Sequence, residues 1–558
     1  MNSIRVLTSS FLIAAAASMA NAGPLSETAA PGPYCPLDAQ AHTGAESFVS
    51  RRPVVGTTYF YWYDVYSGAH IRNADGTDAL TTHPPASAMA DLSYKSAEWH
   101  YSQLRDIREA GIDFIMPVFW GVPGQYTSWS FVGLPPLVEA HNRMLAEAAA
   151  DTGGTRPAPP KIGLFYDTST LHWYVGSGTS LQPGEKIDLT TDAGREWFYV
   201  TIRDFFSMIP PDKWARIDGK PIVFLYSAGF AKAIDDKLFA DTQRRFQKDF
   251  ATRLFIVREE SWPGQADASY RWGGALGLTI GDQVAGLGPG YDHSAVPGRQ
   301  PLIVSRQRGA FYNRQWERLL RMKTARRPWI VHVETWNEWH EGTDIARSEE
   351  YGDHYIRATA RYAQMFRAGT QLDPQGPFAR AARVRWFGRQ VEGLELLPSG
   401  NDGCWQTGNA DGSIAVTSTP CPADNPAGYL YFRVDDGYMY DEMERSAELT
   451  VVFRDDGGCE RFRVEYDGSD PQASVREGAF RPSREINVGS SGTWRTVKLI
   501  LPQVRFIDRA NNADFRLAVF GNQRRLTIRE ILLRKLPGVE IEASPAENAQ
   551  PQPAAATQ

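Results

Sequence analysis

Residues 329–344 read WIVHVETWNEWHEGTD. The first seven letters form a mostly apolar run, which favours a buried β-strand, and the following nine hold three acids, a histidine and two tryptophans. Reactive side chains directly after a strand are typical of parallel α/β barrels, where catalytic groups gather at the carboxyl ends of the strands. This stretch therefore predicts the last strand of such a barrel and the centre of a site.

Upstream of this stretch, short apolar runs alternate with amphipathic stretches, which is the pattern of repeated βα units. Eight runs are predicted as strands: 54–63, 112–120, 161–166, 221–226, 253–258, 268–273, 283–288 and 329–335. Six stretches are predicted as helices: 96–110, 134–150, 192–208, 235–250, 310–324 and 353–366. The repeat predicts an α/β fold, a (β/α)8 TIM barrel, over residues 50–370.

The pattern changes after a linker with two prolines and a glycine at residues 370–377. Alternation of apolar and polar residues predicts six antiparallel strands: 429–434, 447–453, 461–466, 493–499, 515–519 and 526–531. They predict an all-β antiparallel sandwich, jelly-roll-like, over residues 378–537. The tail, residues 538–558, is rich in Pro, Ala and Gln and is predicted to be disordered.

The first 22 residues predict a secretory signal peptide. Arg5 supplies a positive start, residues 6–17 are mostly apolar, and Ala20-Asn21-Ala22 places small residues before a cut. The apolar run is too short for a membrane anchor, and no other window is apolar enough for a membrane span. We therefore expect cleavage and a secreted or periplasmic protein.

Composition and cysteine usage narrow the class of protein further. A net charge of −6 over 558 residues, without a basic run, argues against a nucleic-acid partner. Four cysteines in an exported chain favour a disulfide, with Cys404 and Cys421 as the preferred pair, although three connectivities remain open. The absence of a C-x-x-C pair argues against zinc.

Aromatic and polar residues recur where the predicted strands end. Pyranose rings have apolar C–H faces and a polar rim, so a sugar cleft combines flat aromatic rings with carboxyl and amide groups. The predicted substrate-binding residues are Trp62, Asp64, Trp120, Tyr166, Asp167, Tyr226, Glu259, Trp272, Tyr291, Trp336, Asn337 and His340. For any one of these residues, the alternative that it only caps the barrel remains open.

Glu338 and Glu341 are the predicted catalytic pair. If the chain turns helically after the strand, residues three apart share a face with Cβ atoms ~5–6 Å apart. Carboxyl groups roughly 5–5.5 Å apart are typical of retaining glycosidases, and their proximity raises one pKa so that one group stays protonated. Capping of a helix, or an ion pair with Arg347, is the structural alternative.

A catalytic metal held by His340, Glu341 and Asp344 is the competing interpretation of the same residues. The sequence lacks the H-E-x-x-H spacing that places two imidazoles on one helical face. We therefore predict no metal and no cofactor for catalysis.

The segment 336–345, together with Pro289-Gly290-Tyr291-Asp292, resembles the signature of glycoside hydrolase family 99. That family comprises endo-acting α-mannosidases and α-mannanases, with related bacterial barrels of unknown function. The resemblance implies a retaining mechanism in which Glu338 takes the proton of the sugar's own 2-hydroxyl, which attacks the anomeric carbon. Glu341 would then protonate the leaving oxygen and activate water. Ala346 stands where the family usually has an acid, which leaves the sugar open.

The sequence thus predicts a secreted, retaining and endo-acting glycoside hydrolase of a poly- or oligosaccharide, of unknown oligomeric state. A non-catalytic glycan-binding protein, a transglycosylase using the same cleft and a deacetylase remain open. The sandwich is interpreted as a carbohydrate-binding module, with a candidate structural Ca²⁺ site. The residues concerned are Trp405, Tyr438, Tyr440 and Trp494 for the glycan, and Asp435, Asp436, Asp455 and Asp456 for Ca²⁺.

Overall fold

The computed structural model describes residues 25–536, apart from 26–27, 154–156, 174–183, 301, 401, 422–427, 471–477 and 522. The chain divides into two compact units, Met1–Leu372 and Asp373–Gln558, and each is described by itself. The predicted signal peptide and the predicted disordered tail lie outside the described residues. Within the described residues, no helix is long and apolar enough to cross a membrane.

The first unit is built around a nearly closed barrel of mostly parallel strands. Eight parallel strands follow one another around it in chain order: β1 (Val54–Tyr59), β2 (Phe114–Phe119), β3 (Leu164–Tyr166, after the short strand Lys161–Ile162), β4 (Lys220–Leu225), β5 (Phe255–Glu259), β6 (Ala268–Tyr270), β7 (Val284–Leu287) and β8 (Ile330–Val333). β8 pairs back onto β1, from Val54 opposite Ile330 to Thr57 opposite Val333. No ladder joins β6 to β7 in the described residues. The barrel confirms the predicted strands.

In the described part of this unit, six long helices lie between the strands or follow the last one: α1 (Ala97–Glu109), α2 (Leu134–Ala150), α3 (Asp192–Met208), α4 (Leu238–Phe250), α5 (Ala310–Arg321) and α6 (His354–Arg367). The shorter helices are Ala39–His42, Ala86–Met89, Trp129–Val132, Thr170–Trp173, Pro211–Lys213, Ala228–Phe230, Gly274–Leu276 and Gln307–Gly309. The remaining short strands of this unit are Arg216–Ile217, Thr279–Ile280, Tyr291–Asp292 and Ile303–Val304. Two long helices begin at a hydroxyl cap, since Ser96 accepts from the Trp99 N–H at 3.2 Å and Thr191 accepts from the Gly194 N–H at 3.1 Å.

Strands β1, β2, β7 and β8 are buried at every position. Burial on both faces is what parallel strands covered by helices require, and it explains why these strands appear in the sequence as continuous apolar runs. The packing between β1 and β2 leaves no room at Gly56, where an added Cβ would lie 2.2 Å from the Phe114 ring.

The second unit consists of two antiparallel sheets. The seven-stranded sheet contains Val384–Phe387, Gln390–Glu392, Trp405–Ala410, Ser413–Ser418, Ala447–Asp455, Thr493–Leu501 and Thr527–Lys535. The six-stranded sheet contains Leu394–Leu396, Gly428–Val434, Arg461–Tyr466, Arg481–Pro482, Ile486–Asn487 and Phe515–Phe520. All six predicted strands are present, and the jelly-roll topology stays a prediction.

Side chains from both sheets form one hydrophobic core in this unit. The rings of Trp386 and Phe432 lie 5.7 Å apart, and those of Phe453 and Phe462 lie 5.1 Å apart. Each pair joins a strand of the larger sheet to a strand of the smaller one. The predicted disulfide is present between Cys404 and Cys421, with a Cα–Cα distance of 5.2 Å, and Cys35 and Cys459 are free thiols.

Removal of this disulfide should destabilise the second unit. A cross-link that closes a loop of about 15 residues stabilises a fold by about 3 kcal/mol, mainly by restricting the unfolded chain. We expect a C404A/C421A variant to melt at a lower temperature than the wild type in calorimetry. Thiol alkylation of the denatured, unreduced wild type should label only Cys35 and Cys459; four labelled cysteines would contradict the bridge.

Candidate active site

Residues 336–343 leave β8 as a turn and not as a helix. The Thr335 hydroxyl accepts from the Glu338 N–H at 3.0 Å, and the Thr343 N–H donates to the Glu338 carbonyl at 3.3 Å. The prediction that Glu338 and Glu341 share one helical face was therefore wrong. Side-chain hydrogen bonds hold this turn in place of the i to i+4 ladder that a helix would supply.

The Asn337 side chain fixes the turn to the exit of β1. Its amide NH₂ donates to the Phe60 carbonyl at 2.7 Å, and its carbonyl accepts from the Phe60 N–H at 2.8 Å. The Tyr63 hydroxyl donates to the Asn337 carbonyl and accepts from the Trp339 N–H, both at 3.0 Å. All four residues are buried, so these hydrogen bonds satisfy groups that water does not reach.

Glu338 is a buried carboxyl group, 7% exposed. Burial raises its pKa well above the usual range, the neighbouring Glu341 carboxylate raises it further, and Asp167 adds to the effect. The Arg299 guanidinium opposes the shift. Burial and the neighbouring acids therefore favour the protonated form of this carboxyl group.

Glu341 lies in a different environment, with its carboxylate paired to the Arg299 guanidinium. Both side chains are about one-fifth exposed. The same guanidinium lies 3.4 Å from the Tyr291 hydroxyl, and the Glu341 carbonyl accepts from the Asp292 N–H at 2.8 Å. The loop after β7 thus supplies the cation of the site. Arg299 was missed from the sequence because a single arginine in a loop gives no pattern that separates it from a surface residue.

An aromatic cluster lies beside the turn. The Trp62 and His70 rings stack in parallel with centroids 4.4 Å apart, and Trp120 and Trp129 approach Trp62 at 5.4 and 6.2 Å. His340 Nε2 lies 2.5 Å from the His70 carbonyl. The structure therefore brings the predicted residues Trp62, Trp120 and His340 together. His70 and Trp129 were missed, since both follow the strand ends at a distance and lack a spacing signal.

Tyr226 links the acids to a second aromatic group. Burial raises the pKa of its hydroxyl well above the usual value, and four carboxyl groups raise it further: Asp167, Glu341, Glu338 and Glu259. The Trp272 ring lies 5.3 Å from the Tyr226 ring, nearly perpendicular to it. Trp120 donates its ring N–H to the Asp167 carboxyl, whose pKa is raised by burial. Glu259 accepts from the Ser261 N–H at 2.9 Å. Among the predicted residues, Asp167, Tyr226 and Tyr291 interact electrostatically with Glu338 or Glu341.

Four predicted substrate-binding residues occupy structural positions instead. Asp64 is fully buried, and although burial acts to raise its pKa, hydrogen bonds from Ser67, Ser93 and the Lys95 ammonium hold the pKa below its usual value. Trp336 is buried and donates its ring N–H to the Gln103 side chain at 2.8 Å. Tyr166 and Asn337 are also fully buried. A side chain enclosed in this way does not offer its ring or polar group to a ligand.

The candidate metal ligands are engaged in other contacts. Asp344 is buried and forms an ion pair with Arg306 at 2.7 Å, while His340 lies against the His70 carbonyl. Across the described ranges, no group of three or more His, Cys, Asp or Glu side chains is arranged to hold a metal ion.

The residues predicted for the sandwich surface also differ from expectation. Tyr438 and Tyr440 are buried, which removes them from a glycan platform, while Trp405 and Trp494 are half-buried. Among the predicted Ca²⁺ ligands, Asp435 and Asp456 accept from N–H groups two residues later, as turn residues do. Asp455 pairs with Arg495 at 3.1 Å.

Asn337→Ala should loosen the connection between β1 and β8. The Phe60 N–H and carbonyl would both lose their partner while buried, and each unsatisfied group costs about 1–3 kcal/mol. We expect a melting temperature clearly below that of Asn142→Ala, a matched change at an exposed position of α2. Equal melting of the two variants would show that water or another group replaces the amide.

The chain matches one protein family and is similar to several known proteins. Residues 59–376 match a family described as "Domain of unknown function (DUF5010)". The "Glycoprotein endo-alpha-1,2-mannosidase-like protein" of Danio rerio is 31% identical over 97 residues, which is 15% of this chain and 21% of that protein. The chain therefore spans about a fifth of the length of this relative. Its name confirms the resemblance to glycoside hydrolase family 99 stated from residues 336–345.

Solved structures give two further similarities. A GH99 endo-alpha-mannosidase from Bacteroides thetaiotaomicron is 17% identical, covering 56% of this chain and 98% of that one with a TM-score of 0.39. CBM29_1, a family 29 carbohydrate binding module from Piromyces equi, is 13% identical, covering 28% of this chain and 92% of that one with a TM-score of 0.18. The family match extends over more than half of the sequence, and the chain belongs to the DUF5010 family.

Proposed function

We propose that this protein is a secreted, retaining and endo-acting glycoside hydrolase of a poly- or oligosaccharide, in which Glu338 and Glu341 carry the reaction. The observation that supports this most is the pair itself: two carboxyl groups interact at the end of β8, and one of them is buried. A protein that only binds glycans has no need for such a pair, because burying one carboxyl group beside another costs free energy.

The two acids of the pair lie in different surroundings, which favour different protonation states. Burial keeps a proton on Glu338, whereas Arg299 pairs with Glu341. The two acids interact, so a proton can pass from Glu338 to Glu341 without a change in total charge. Glu341 then holds the proton that a leaving oxygen needs. Glu338, ionised and poorly solvated, becomes a strong base.

This exchange fits the roles that the family resemblance implies. Glu338 would accept the proton of the sugar's 2-hydroxyl as that oxygen bonds to the anomeric carbon and the glycosidic bond breaks. Glu341 would give its proton to the departing oxygen and later take one from water. The 2-hydroxyl must lie trans to the leaving group, as in α-mannosides, which we propose as the substrate class.

The aromatic residues around the pair suit a glycan. Trp120 beside Asp167 and Tyr291 beside Glu341 are partly exposed rings next to carboxyl groups, and the Trp272 ring is partly exposed too, which matches the apolar faces and polar rim of pyranose rings. Interception of the intermediate by a sugar hydroxyl in place of water would make the protein a transglycosylase. Chromatography of the products from α-mannans and other yeast, plant and bacterial polysaccharides distinguishes the two, since transfer gives products longer than the substrate.

Glu341→Gln should nearly abolish cleavage of the natural glycan. The amide has the shape of the carboxyl group but cannot deliver a proton, and loss of general acid catalysis costs ~10²–10⁴-fold in rate. Aryl glycosides with good leaving groups should be much less affected, because their departure needs no proton. Initial rates on both substrates provide the measurement, with Glu139→Gln on α2 as the matched control. An unchanged rate on the natural glycan would remove Glu341 from the mechanism.

A 2-fluoro sugar with a good leaving group should bind to the protein without forming an adduct. Fluorine in place of the 2-hydroxyl removes the nucleophile that the proposed mechanism requires. If Glu338 were instead an ordinary nucleophile, the same compound would trap a glycosyl ester on it. Intact mass spectrometry followed by peptide mapping decides between the mechanisms. A stoichiometric adduct on Glu338 or on Glu341 would contradict the anhydro-sugar route and identify that residue as the nucleophile.

A further inference from the structure

A second buried acid lies four residues before Glu338. Glu334 directly follows β8 and is 1% exposed. Its Oε2 accepts from the N–H groups of Gly273 at 2.8 Å and Gly274 at 2.7 Å. Gly273 has a φ of 119°, and a Cβ at Gly274 would lie 2.4 Å from the Leu287 nitrogen. The turn that Glu334 binds therefore has a shape that glycine alone adopts without strain.

The other oxygen of Glu334 faces a histidine. Oε1 lies 3.6 Å from Nδ1 of His332, and neither atom has a hydrogen-bond partner among the described residues. His332 Nε2 lies 2.5 Å from the Thr58 hydroxyl, and burial lowers the His332 pKa to about 3, so the ring is neutral. A neutral carboxylic acid can donate its proton to an unprotonated Nδ1, whereas an ionised carboxylate cannot.

The charged and titratable groups around Glu334 favour the neutral acid. Burial raises the pKa of Glu334 to about 8, the N–H donors oppose the shift, and the carboxylate of Glu259 adds to it. Burial raises the pKa of the Tyr270 hydroxyl on β6, and Glu334 is among the groups that raise it further. Apart from His332, no basic side chain of the described residues forms an ion pair with it. An ionised Glu334 would thus be a buried charge without a counter-ion.

The turn held by Glu334 carries an aromatic residue of the candidate site. Trp272 immediately precedes Gly273, and its ring lies against Tyr226 at 5.3 Å and Phe165 at 5.4 Å. We propose that Glu334 is a positioning residue: as a neutral acid bridging His332 and the Gly273–Gly274 turn, it holds Trp272 against Tyr226 at the mouth of the barrel. Ionisation of Glu334 at alkaline pH breaks the bridge to His332, whose ring lies 5.9 Å from that of Trp272, although the carboxylate still accepts from the two glycine N–H groups.

Glu334→Gln tests the protonation state without reference to any activity. The glutamine carbonyl can still accept from the two glycine N–H groups, and its NH₂ can donate to His332, so the variant mimics the neutral acid. In the wild type, folding requires Glu334 to keep a proton that the unfolded chain loses above its ordinary pKa. Stability therefore declines as pH rises from about 4.5 to about 8.

Melting curves from pH 5 to 9 should show this difference. We expect the melting temperature of Glu334→Gln to equal that of the wild type at pH 5 and to be at least about 3 °C higher at pH 9. The melting temperature of Glu334→Ala should be below both at pH 5. Parallel curves, or a glutamine variant below the wild type throughout, would mean that Nδ1–H of His332 donates to an ionised Glu334 and would overturn the proposal.

The position of Trp272 needs its own measurement. In protein labelled with 5-fluorotryptophan, the ¹⁹F resonance that Trp272→Phe removes should shift between pH 6 and 9 in the wild type and stay fixed in Glu334→Gln. A resonance that does not move in the wild type would exclude a link between Glu334 and Trp272, whatever the melting curves show.

The effect on glycan cleavage rests on the proposed function. Glu334→Ala should raise KM about tenfold at pH 6 with a smaller change in kcat, since a displaced ring weakens binding more than chemistry, and Glu334→Gln should restore most of the loss. A fall in kcat alone would contradict a positioning role. If no glycan is cleaved, the proposed function fails, while the melting and ¹⁹F measurements still decide the role of Glu334.

Discussion

The Asn337 amide joins the two strands on which the candidate site depends. β1 and β8 come from opposite ends of the barrel sequence and pair over only four residues, and the Asn337 side chain extends this contact past the last ladder bond by engaging both backbone groups of Phe60. The neighbouring residue in the chain is Glu338. The carboxyl group at the centre of the site is thus placed by a bond that belongs to barrel closure, and the aromatic residues after β1 are held in register with it.

Desolvation then determines which charges this site can carry. Among the described residues, the barrel mouth holds several carboxyl groups, and the guanidinium of Arg299 interacts with both Glu338 and Glu341. Because burial penalises each carboxylate and neighbouring carboxylates penalise one another, the acids cannot all be ionised together. The raised pKa of Glu338 and the ion pair of Glu341 are two consequences of one shortage of positive charge. In the proposed function, the same shortage allows two identical side chains to act as acid and base.

The sequence predicted the barrel better than the details of its mouth. Strands such as β1 and β8 are buried on both faces and so appear as apolar runs, and the rule that chemistry lies at their carboxyl ends located Glu338, Glu341, Asp167 and Tyr226. The prediction of a helical turn after β8 was wrong because the side chains of Thr335 and Asn337 form hydrogen bonds with backbone groups. Such hydrogen bonds leave no periodic pattern in the sequence.

Side chains whose role depends on contacts distant in sequence were the ones missed or misplaced. Arg299 acts through a residue 42 positions away, and Asp64 is neutralised by Lys95, 31 positions away. Both are loop residues with common alternatives. In the sandwich, Tyr438 was predicted to form part of a glycan-binding surface, but its hydroxyl donates a hydrogen bond to the Leu533 carbonyl inside the core.

Glu334 and Glu338 are two acids with raised pKa values that lie near one strand end in different surroundings. Both carboxyl groups are buried, and both have pKa values raised first by burial. Glu334 faces backbone N–H groups and a neutral imidazole. These groups hold its carboxyl group in a fixed position and do not take up its proton. Glu338 faces Glu341, which can accept a proton, and Arg299, which compensates the charge left behind. In the proposed roles, the difference between a positioning acid and a reacting one therefore lies in whether a neighbour can exchange the proton, and not in the depth of burial.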